Sequence, residues 1–505
     1  MTGLTTLTPL PQHIHLVGIG GAGISAIAQV LLGRGFTVSG SDRAWNGLMV
    51  DLQSKGAKVY EGHAAANIAG AELLVISSAI PQDNPEVAAA RAQHIPVLKR
   101  DEFLGQLMGG QTGIAIAGTH GKTTTTGMIA HMLLETGRDP SVIMGGVLPS
   151  LGTNGRAGHG DTFVIEADEY DRMFLGLRPR IAVITTLEHD HPDIYPTPES
   201  YQEAFTQFVR LLPDDGVLVA DVEDKGVRGL LEMVNGQWSM VNGQLLSYSL
   251  TPEAHPCSSQ HLYASDWQVN EHGGLDFRVS SFEFRVSSLQ SPVSQSLNLP
   301  VSLSLPGLHN IRNALAALQV GQALGLGWDE MAGALSTFRG TGRRFEVKGV
   351  VNGVTVVDDY GHHPTEIRAT LAAARQQQPQ ARIWAVWQPH TYSRTHTLLA
   401  DFATCFSDAD RVIVLDIYAS REKETLGLTG IAVAQAIQHH QVEFIAQIEA
   451  AAAHLLTHLQ PGDLLITFSA GDGNRVGEIV LSSEFGVSSS EFPGKTRNSK
   501  PETQN

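Results

Sequence analysis

Short apolar runs alternate with longer stretches of helical period through roughly the first hundred residues. His13–Ile19, Phe36–Gly40 and Leu73–Ser78 read as buried strands, and Val97-Leu98 as a further short one. Apolar residues at nearly every position mark strands covered on both faces, as in a parallel sheet. Ile24, Ile27, Ala28 and Leu31 recur at helical spacing between the first two runs. The alternation predicts a doubly wound α/β domain. It ends near Phe103–Gly110, where Met-Gly-Gly-Gln-Thr-Gly reads as a linker.

A second α/β pattern follows, with strands at Ile114–Ala117, Thr162–Ala167, Ile181–Thr186 and Val217–Ala220. A Ser/Gln-rich stretch, Ser287–Leu299, interrupts a β-like region and is expected to be a long mobile hairpin or an insertion. Leu308–Leu324 predicts a helix, with Ile311, Ala314, Leu315, Leu318 and Ala323 in phase. A third pattern begins around Arg339, with strands at Val354–Val357, Arg382–Val386, Val412–Leu415 and Leu464–Phe468. Its first helix carries Ile367, Thr370, Leu371 and Ala374 on one face, with Pro364 in the first turn. The fold class is α/β in three domains, 1–108, 109–338 and 339–482. A Ser-, Gly- and Lys-rich tail without apolar period, 483–505, is expected to be disordered.

Composition narrows the function classes. A chain of 505 residues is too long for one core, in keeping with three domains. The net charge of −17 argues against a dedicated nucleic-acid or anionic-membrane binder. It leaves anionic small molecules open, since local amide nests bind phosphate inside acidic proteins. The two cysteines, Cys257 and Cys405, form no disulfide framework or zinc spacing, so a reducing cytoplasm is expected. No apolar stretch is long enough to span a membrane, and no basic-then-apolar signal opens the chain.

The most informative stretch is Ile114-Ala-Ile-Ala-Gly118-Thr119-His120-Gly121-Lys122-Thr123-Thr124-Thr-Thr126. A strand breaks into a glycine loop that opens a helix. Loop amides make an anion nest, and the helix N-terminus adds partial positive charge. Lys122 would meet the β/γ-phosphates of a nucleotide, and Thr123 or Thr124 would face Mg²⁺. The ordinary phosphate loop would need glycine at 116, where Ile116 stands, so this is the shorter G-T-x-G-K-T form. A second loop, Gly18-Ile-Gly20-Gly21-Ala-Gly23-Ile-Ser25, sits between a strand and an apolar helix. With Asp42 ending the next strand it has the dinucleotide form, the acid placed for a ribose hydroxyl. Alone it says only that a diphosphate can sit on a helix N-terminus.

Together these segments resemble the Mur ligase family, ATP-dependent amide-bond-forming enzymes of peptidoglycan synthesis. The resemblance covers roughly residues 12–475 in the expected order and is closest to the branch that adds L-alanine to UDP-N-acetylmuramate. It implies a Rossmann-like UDP-binding domain, a central phosphate-loop ATPase-like domain and a Rossmann-like C-terminal domain. It implies ATP and Mg²⁺, with UDP-N-acetylmuramate and L-alanine as substrates, no nucleic-acid or membrane partner, and a monomer or weak homodimer. The first loop then holds the UDP-sugar, through Gly18, Gly20, Gly21, Gly23, Ser25, Asp42 and Ser78. The second holds ATP, through Gly118, Thr119, His120, Gly121, Lys122, Thr123 and Thr124.

Further motifs fit the same resemblance. Glu166-Ala-Asp168-Glu169-Tyr-Asp171 puts four acids at a strand end, and hard carboxylate oxygens suit Mg²⁺. The family pattern puts metal ligands at Thr123, Glu166 and His191; Asp168 and Asp171 are left as caps or as partners of Arg172 and Arg178. Residue type alone would not suggest a magnesium ligand at His191, for which a structural histidine is the plain alternative, and His189 is given no role. The segment Pro306-Gly-Leu-His309-Asn310-Ile-Arg-Asn313 implies nucleotide contact at His309 and Asn313, while Asn310 reads equally as an N-cap. Tandem Arg343-Arg344 on a glycine hinge suits a phosphate reached on domain closure, and Arg343 is assigned to ATP. Asp358-Asp359-Tyr360-Gly-His362-His363-Pro364-Thr-Glu366 implies Asp359 and Tyr360 on the ATP side and His362 on the amino-acid side. Arg394 is the partner for a carboxylate by bidentate pairing; some relatives also carry arginine where Thr391 stands. The catalytic set is Lys122, Glu166, His191, His362 and Arg394. A nicotinamide oxidoreductase would leave the second loop and the third-domain motifs unexplained. A non-catalytic relative would be expected to lose Lys122, Glu166 or His191. A sibling ligase that attaches a recycled tripeptide to the same sugar is the nearest alternative.

Overall fold

The computed structural model describes residues 9–235, 243–252, 258–283 and 295–483. Its described strands form three sheets. In the first, β1 (His13–Val17), β2 (Thr37–Asp42), β3 (Lys58–Glu61), β4 (Leu73–Ile76) and β5 (Val97–Lys99) lie in the order β3-β2-β1-β4-β5. All four pairings are parallel. Strand order reverses between β1 and β4, so a crevice opens beyond the carboxyl end of β1, where the first glycine loop begins.

The second sheet comprises β6 (Thr112–Ala117), β7 (Ser141–Leu148), β8 (Thr153–Arg156), β9 (Thr162–Glu166) and β10 (Ile181–Ile184). It continues with β11 (Val217–Asp221), β12 (Gln244–Ser249), β13 (Gln260–Val269), β14 (Leu275–Glu283) and β15 (Gln295–Leu303). Their order is β15-β14-β13-β12-β11-β10-β6-β9-β7-β8. β6 is flanked by β10 and β9, both parallel to it, so their carboxyl ends share one edge. That edge receives the Gly118 loop from β6, the acidic turn from β9 and the Glu188–His191 loop from β10.

Ser287–Leu299 is only partly accounted for by the structure. Residues 295–299 belong to β15, where Leu299 pairs with Val279, rather than to an insertion. Residues 287–294 lie outside the described residues, as does the expected tail beyond 483. Pro300 is accommodated because β15 is an edge strand. The expected linker is shorter than its sequence suggested: a helix, Arg100–Leu107, buries Phe103, Leu104 and Leu107, and β6 begins at Thr112. Residues of the first two sheets share one core, in which Ile27, Leu31 and Phe103 cluster with Phe163, Phe174 and Leu177.

The chain divides into two compact units at Arg344/Phe345, with the segment Ala372–Pro379 grouped with the first. The second unit holds β16 (Glu346–Val351), β17 (Val354–Asp359), β18 (Ile383–Trp387), β19 (Arg411–Val414), β20 (Val442–Phe444) and β21 (Leu464–Phe468). Their order is β16-β17-β21-β18-β19-β20. β17, β21 and β18 run parallel, so Asp359 and the Gln388–Thr391 segment emerge on the same edge. The helix Pro364–Gln377 starts with proline in its first position, where a missing N–H costs nothing. No helix among the described residues is long and apolar enough to cross a membrane.

Candidate active site

Gly118 has φ +136°, and a β-carbon there would collide with Thr185 Oγ1. Only glycine lets β6 turn so close to β10. The loop is then tied to the end of β10. Thr119 N donates to Thr186 O at 2.9 Å, and His120 N to Thr186 Oγ1 at 3.0 Å. Thr119 Oγ1 donates to Glu188 O at 2.7 Å, and His120 Nε2 lies 2.9 Å from Glu188 Oε2. Gly121, φ +80°, caps the helix Lys122–Glu135. The amides of the first helical turn lack intrahelical acceptors and so form the nest expected of a phosphate loop.

Lys122 Nζ donates to Gly118 O at 2.6 Å, to Thr119 O at 3.2 Å and to Glu169 Oε1 at 2.9 Å. Burial works against its charge, but Glu169, then Glu166 and Asp168, outweigh it and hold the ammonium above its ordinary pKa. Burial also works against Glu169, yet Lys122 and His191 keep that carboxyl below its usual range. At Glu166 burial prevails over the Gly145 amide, Lys122 and Arg344, and its pKa is raised. Thr123 Oγ1 donates to Glu166 Oε1 at 3.0 Å and Gly145 N to Glu166 Oε2 at 2.7 Å. His191 Nε2 lies 3.6 Å from Glu169 Oε1 and 3.7 Å from Asp190 Oδ2, with backbone φ +54°. The structure thus brings Lys122, Thr123, Glu166 and His191 to one sheet edge. Thr124 is buried in the first helical turn.

Glu169 is the residue that sequence reasoning passed over. It was quoted as one of four acids and given no role, yet it stands between Lys122 and His191 with Oε2 buried and without a hydrogen-bond partner. Tyr195 OH donates to its backbone oxygen, and Tyr201 OH lies 3.4 Å from Oε1. Asp168 pairs with Arg100 at 3.0 Å rather than with Arg172 or Arg178. Asp171 is exposed, at φ +53°. His189 Nε2 lies 2.7 Å from Tyr195 O, a structural contact.

The first loop is built differently. Gly18 N and Ile19 N donate to Ser41 O at 2.8 and 3.0 Å. Gly20 N donates to Asp42 Oδ2 at 2.9 Å and Arg43 N to Asp42 Oδ1 at 2.7 Å. Both carboxylate oxygens of Asp42, expected on a ribose, thus brace backbone amides of the loop and its own strand end. Gly21 caps the helix Ala22–Gly33, and Ser25 Oγ bonds back to Ala22 O at 3.0 Å. Ser78 is exposed; Ser77 is the serine facing the loop, its Cβ 3.2 Å from where a Gly18 β-carbon would stand. A β-carbon on Gly23 would collide with Arg100 Nη1, which places this unpredicted guanidinium on the helix N-terminus.

The segment at 306–313 corrects one expectation. Gly307, φ +89°, is the N-cap of the helix Leu308–Ala323, not Asn310, whose Nδ2 donates to Pro306 O at 2.7 Å. Asn313 Nδ2 donates to Asn310 Oδ1 at 3.1 Å, and its Oδ1 accepts from Thr125 Oγ1 at 3.1 Å. Asn313 therefore buttresses the helix that follows the Gly118 loop. The His309 ring folds against Gly307. Arg343 has φ +59°, and the charge of Arg344 acts on Glu166.

In the second unit Asp359 is buried and braces two backbone amides. Oδ1 accepts from Gly361 N at 2.7 Å and Oδ2 from Phe345 N at 2.8 Å. Tyr360 and His362 meet edge to face at 5.4 Å, and His362 meets His390 at 5.9 Å. Arg394 Nη1 lies 3.2 Å from His390 Nδ1, with the arginine 5% exposed. His362, His390 and Arg394 thus gather at the carboxyl edge of β17 and β18. Thr391, φ +49°, supplies the bend that turns Arg394 inward.

Comparison with known proteins matches this architecture along the chain. Residues 13–112 match the Mur ligase family catalytic domain, residues 116–321 the Mur ligase middle domain, and residues 343–471 the Mur ligase glutamate ligase domain. A UDP-N-acetylmuramate–L-alanine ligase from Roseiflexus sp. (strain RS-1) is 42% identical over 475 residues, covering 93% of this chain and 98% of the relative. One from Geobacter sulfurreducens is 41% identical, covering 93% and 97%. A solved UDP-N-acetylmuramate-alanine ligase from Thermotoga maritima superposes with TM-score 0.73 at 25% identity, covering 93% and 98%. A murein peptide ligase from Psychrobacter arcticus 273-4 superposes with TM-score 0.70 at 25% identity, covering 95% and 100%. On sheet order, site geometry and these matches, the chain belongs to the Mur ligase family.

Proposed function

We propose that this chain joins L-alanine to UDP-N-acetylmuramate, converting ATP to ADP and phosphate, in peptidoglycan synthesis. The observation that carries the reading is the Lys122–Glu169 and Thr123–Glu166 array at the mouth of the Gly118 loop. A lactyl carboxylate oxygen attacks the γ-phosphorus, the bond to the β-phosphate oxygen breaks, and ADP leaves. The alanine amine then attacks the acyl carbon of the acyl phosphate, and inorganic phosphate departs. Two anions must approach in the first step, so the site has to offset negative charge. Lys122 and the loop amides do so at the phosphates.

The donor set fits a divalent cation. Thr123 hydroxyl and Glu166 are hard oxygen ligands, and Glu169 Oε2 is a buried carboxylate oxygen beside them without a hydrogen-bond donor. Thr123, Glu166 and His191 would hold Mg²⁺, which when bound neutralises charge developing on the phosphate oxygens. Arg394 orients the alanine carboxylate, and His362 takes the proton that the alanine ammonium sheds before attack. The UDP-sugar rests on the helix behind Gly18–Gly23.

The murein peptide ligase superposes almost as well as the alanine ligase, which makes tripeptide addition the second reading. ADP release measured with each component omitted in turn separates the two. Release that requires both UDP-N-acetylmuramate and L-alanine supports the proposal. Release supported by the tripeptide and not by L-alanine would overturn it.

A further inference from the structure

Arg100 opens the helix Arg100–Leu107 directly after β5, yet its guanidinium lies on the first turn of the helix Ala22–Gly33, against Gly23. A cation against a helix N-terminus is electrostatically unfavourable, because the partial charge there is already positive. The arrangement makes sense when an anion is to come between them. Among the described residues Asp168 supplies a countercharge, its carboxylate 46% exposed and 3.0 Å from Nη2. Nη2 also touches Met173 Sδ at 2.7 Å, and Nε is buried without a hydrogen-bond partner. The two terminal nitrogens therefore face different partners, Nη1 the helix N-terminus and Nη2 the acidic turn.

That turn is the one that carries the ATP-site carboxylates. Asp168 Oδ1 accepts from Tyr170 N at 3.1 Å and its backbone oxygen accepts from Phe174 N at 3.0 Å. Glu166 and Glu169 stand on the same turn. Arg100 thus reaches from the first glycine loop's helix to the acidic turn beside the second. We propose that Arg100 is a positioning residue that grips the sugar-nucleotide diphosphate with Nη1 while Nη2 stays on Asp168, fixing the sugar relative to the acidic turn. This rests on the reading that the first loop holds the UDP-sugar. A planar guanidinium presents separate edges to two acceptors at once, which a point-charge ammonium does not.

Arg100→Ala, Arg100→Lys, Asp168→Asn and the Arg100→Lys/Asp168→Asn double variant test it by steady-state kinetics and by calorimetry with UDP-N-acetylmuramate. Arg100→Ala is expected to weaken UDP-sugar binding by about tenfold to a hundredfold, the worth of a charge-assisted contact. Arg100→Lys is expected to recover most of that affinity while kcat stays about tenfold low, since the fork is lost. Asp168→Asn is expected to keep UDP-sugar affinity within about fivefold, as a half-exposed pair contributes little, yet to lower kcat to the Arg100→Lys level. The double variant falls no further, because both changes cut the same link. An unchanged affinity in Arg100→Ala, an unchanged kcat in Asp168→Asn, or a double variant equal to the product of the singles would each overturn the proposal. A wild-type protein that binds no UDP-sugar would overturn the reading of the first loop, and the proposal with it.

Discussion

The two glycine loops of the first unit share a plan, strand then loop then helix, and differ in where their charge comes from. The Gly118 loop carries its own cation, and Lys122 is folded back onto two loop carbonyls and Glu169. Carboxylates crowd it: Glu166, Asp168 and Glu169 all act on that lysine. The Gly18 loop has no charged residue between Gly18 and Ser25. Its acid, Asp42, braces backbone, and its cation comes from Arg100, far along the chain. A loop that only has to hold a diphosphate needs amides and one fixed cation. A loop where phosphoryl charge moves needs opposed charges poised against one another, so that an arriving phosphate displaces a carboxylate from the lysine. The contrast fits a binding loop and a reacting loop.

The sharpest break is at Lys122. Lys122→Ala is expected to lower turnover by at least about a thousandfold, while UDP-N-acetylmuramate affinity stays within about threefold. Calorimetry showing the sugar nucleotide lost as well would mean the two loops do not divide the work. Next comes the acidic turn. Glu166→Ala is expected to cost about a hundredfold or more in kcat, since it bridges the Thr123 hydroxyl and the Gly145 amide beside the proposed metal. Asp171→Ala, at an exposed position, is expected to stay within about threefold of wild type. Equal losses in the two variants would remove the special standing given to Glu166.

In the second unit, Arg394→Ala is expected to raise the KM for L-alanine by about thirtyfold and that for ATP far less. An unaltered alanine dependence would mean that another group holds the amino-acid carboxylate. A smaller loss than at Arg394 is expected at Gly20. A β-carbon there would stand 2.5 Å from Asn46 Nδ2 and 3.0 Å from Asp42 Oδ2. Gly20→Val therefore disturbs the braces of the loop itself, and is expected to weaken UDP-sugar binding about tenfold with ATP binding unchanged. A loss of ATP binding in this variant would argue against separate loops.

Much of this was legible in the chain because buried parallel strands announce themselves. Leu73–Ile76, Ile114–Ala117 and Ile181–Ile184 are apolar throughout, and each is flanked on both sides by parallel strands. β13, β14 and β15 were blurred because they are antiparallel, with polar residues alternating on one face. Glycine loops and acidic strand ends were readable as motifs, since each motif is one contiguous run of the chain. What stayed hidden depends on long-range packing. Arg100 meets Asp168 across 68 residues, and nothing local at Arg100 marks it. Asp42 and Asp359 read as ligand contacts because of where they stand at strand ends; that their oxygens also brace backbone amides is set by packing the local sequence does not show. Asn310 lost the cap to Gly307 because a positive φ was needed one turn earlier.

The division between the loops is tested most directly by a crossed pair of titrations. UDP-N-acetylmuramate and Mg²⁺-ATP are each titrated calorimetrically into wild type, Lys122→Ala and Gly20→Val. The account predicts a crossed pattern, with Lys122→Ala impaired for ATP alone and Gly20→Val impaired for the UDP-sugar alone. Loss of both ligands in either variant, or the reverse assignment, would contradict it.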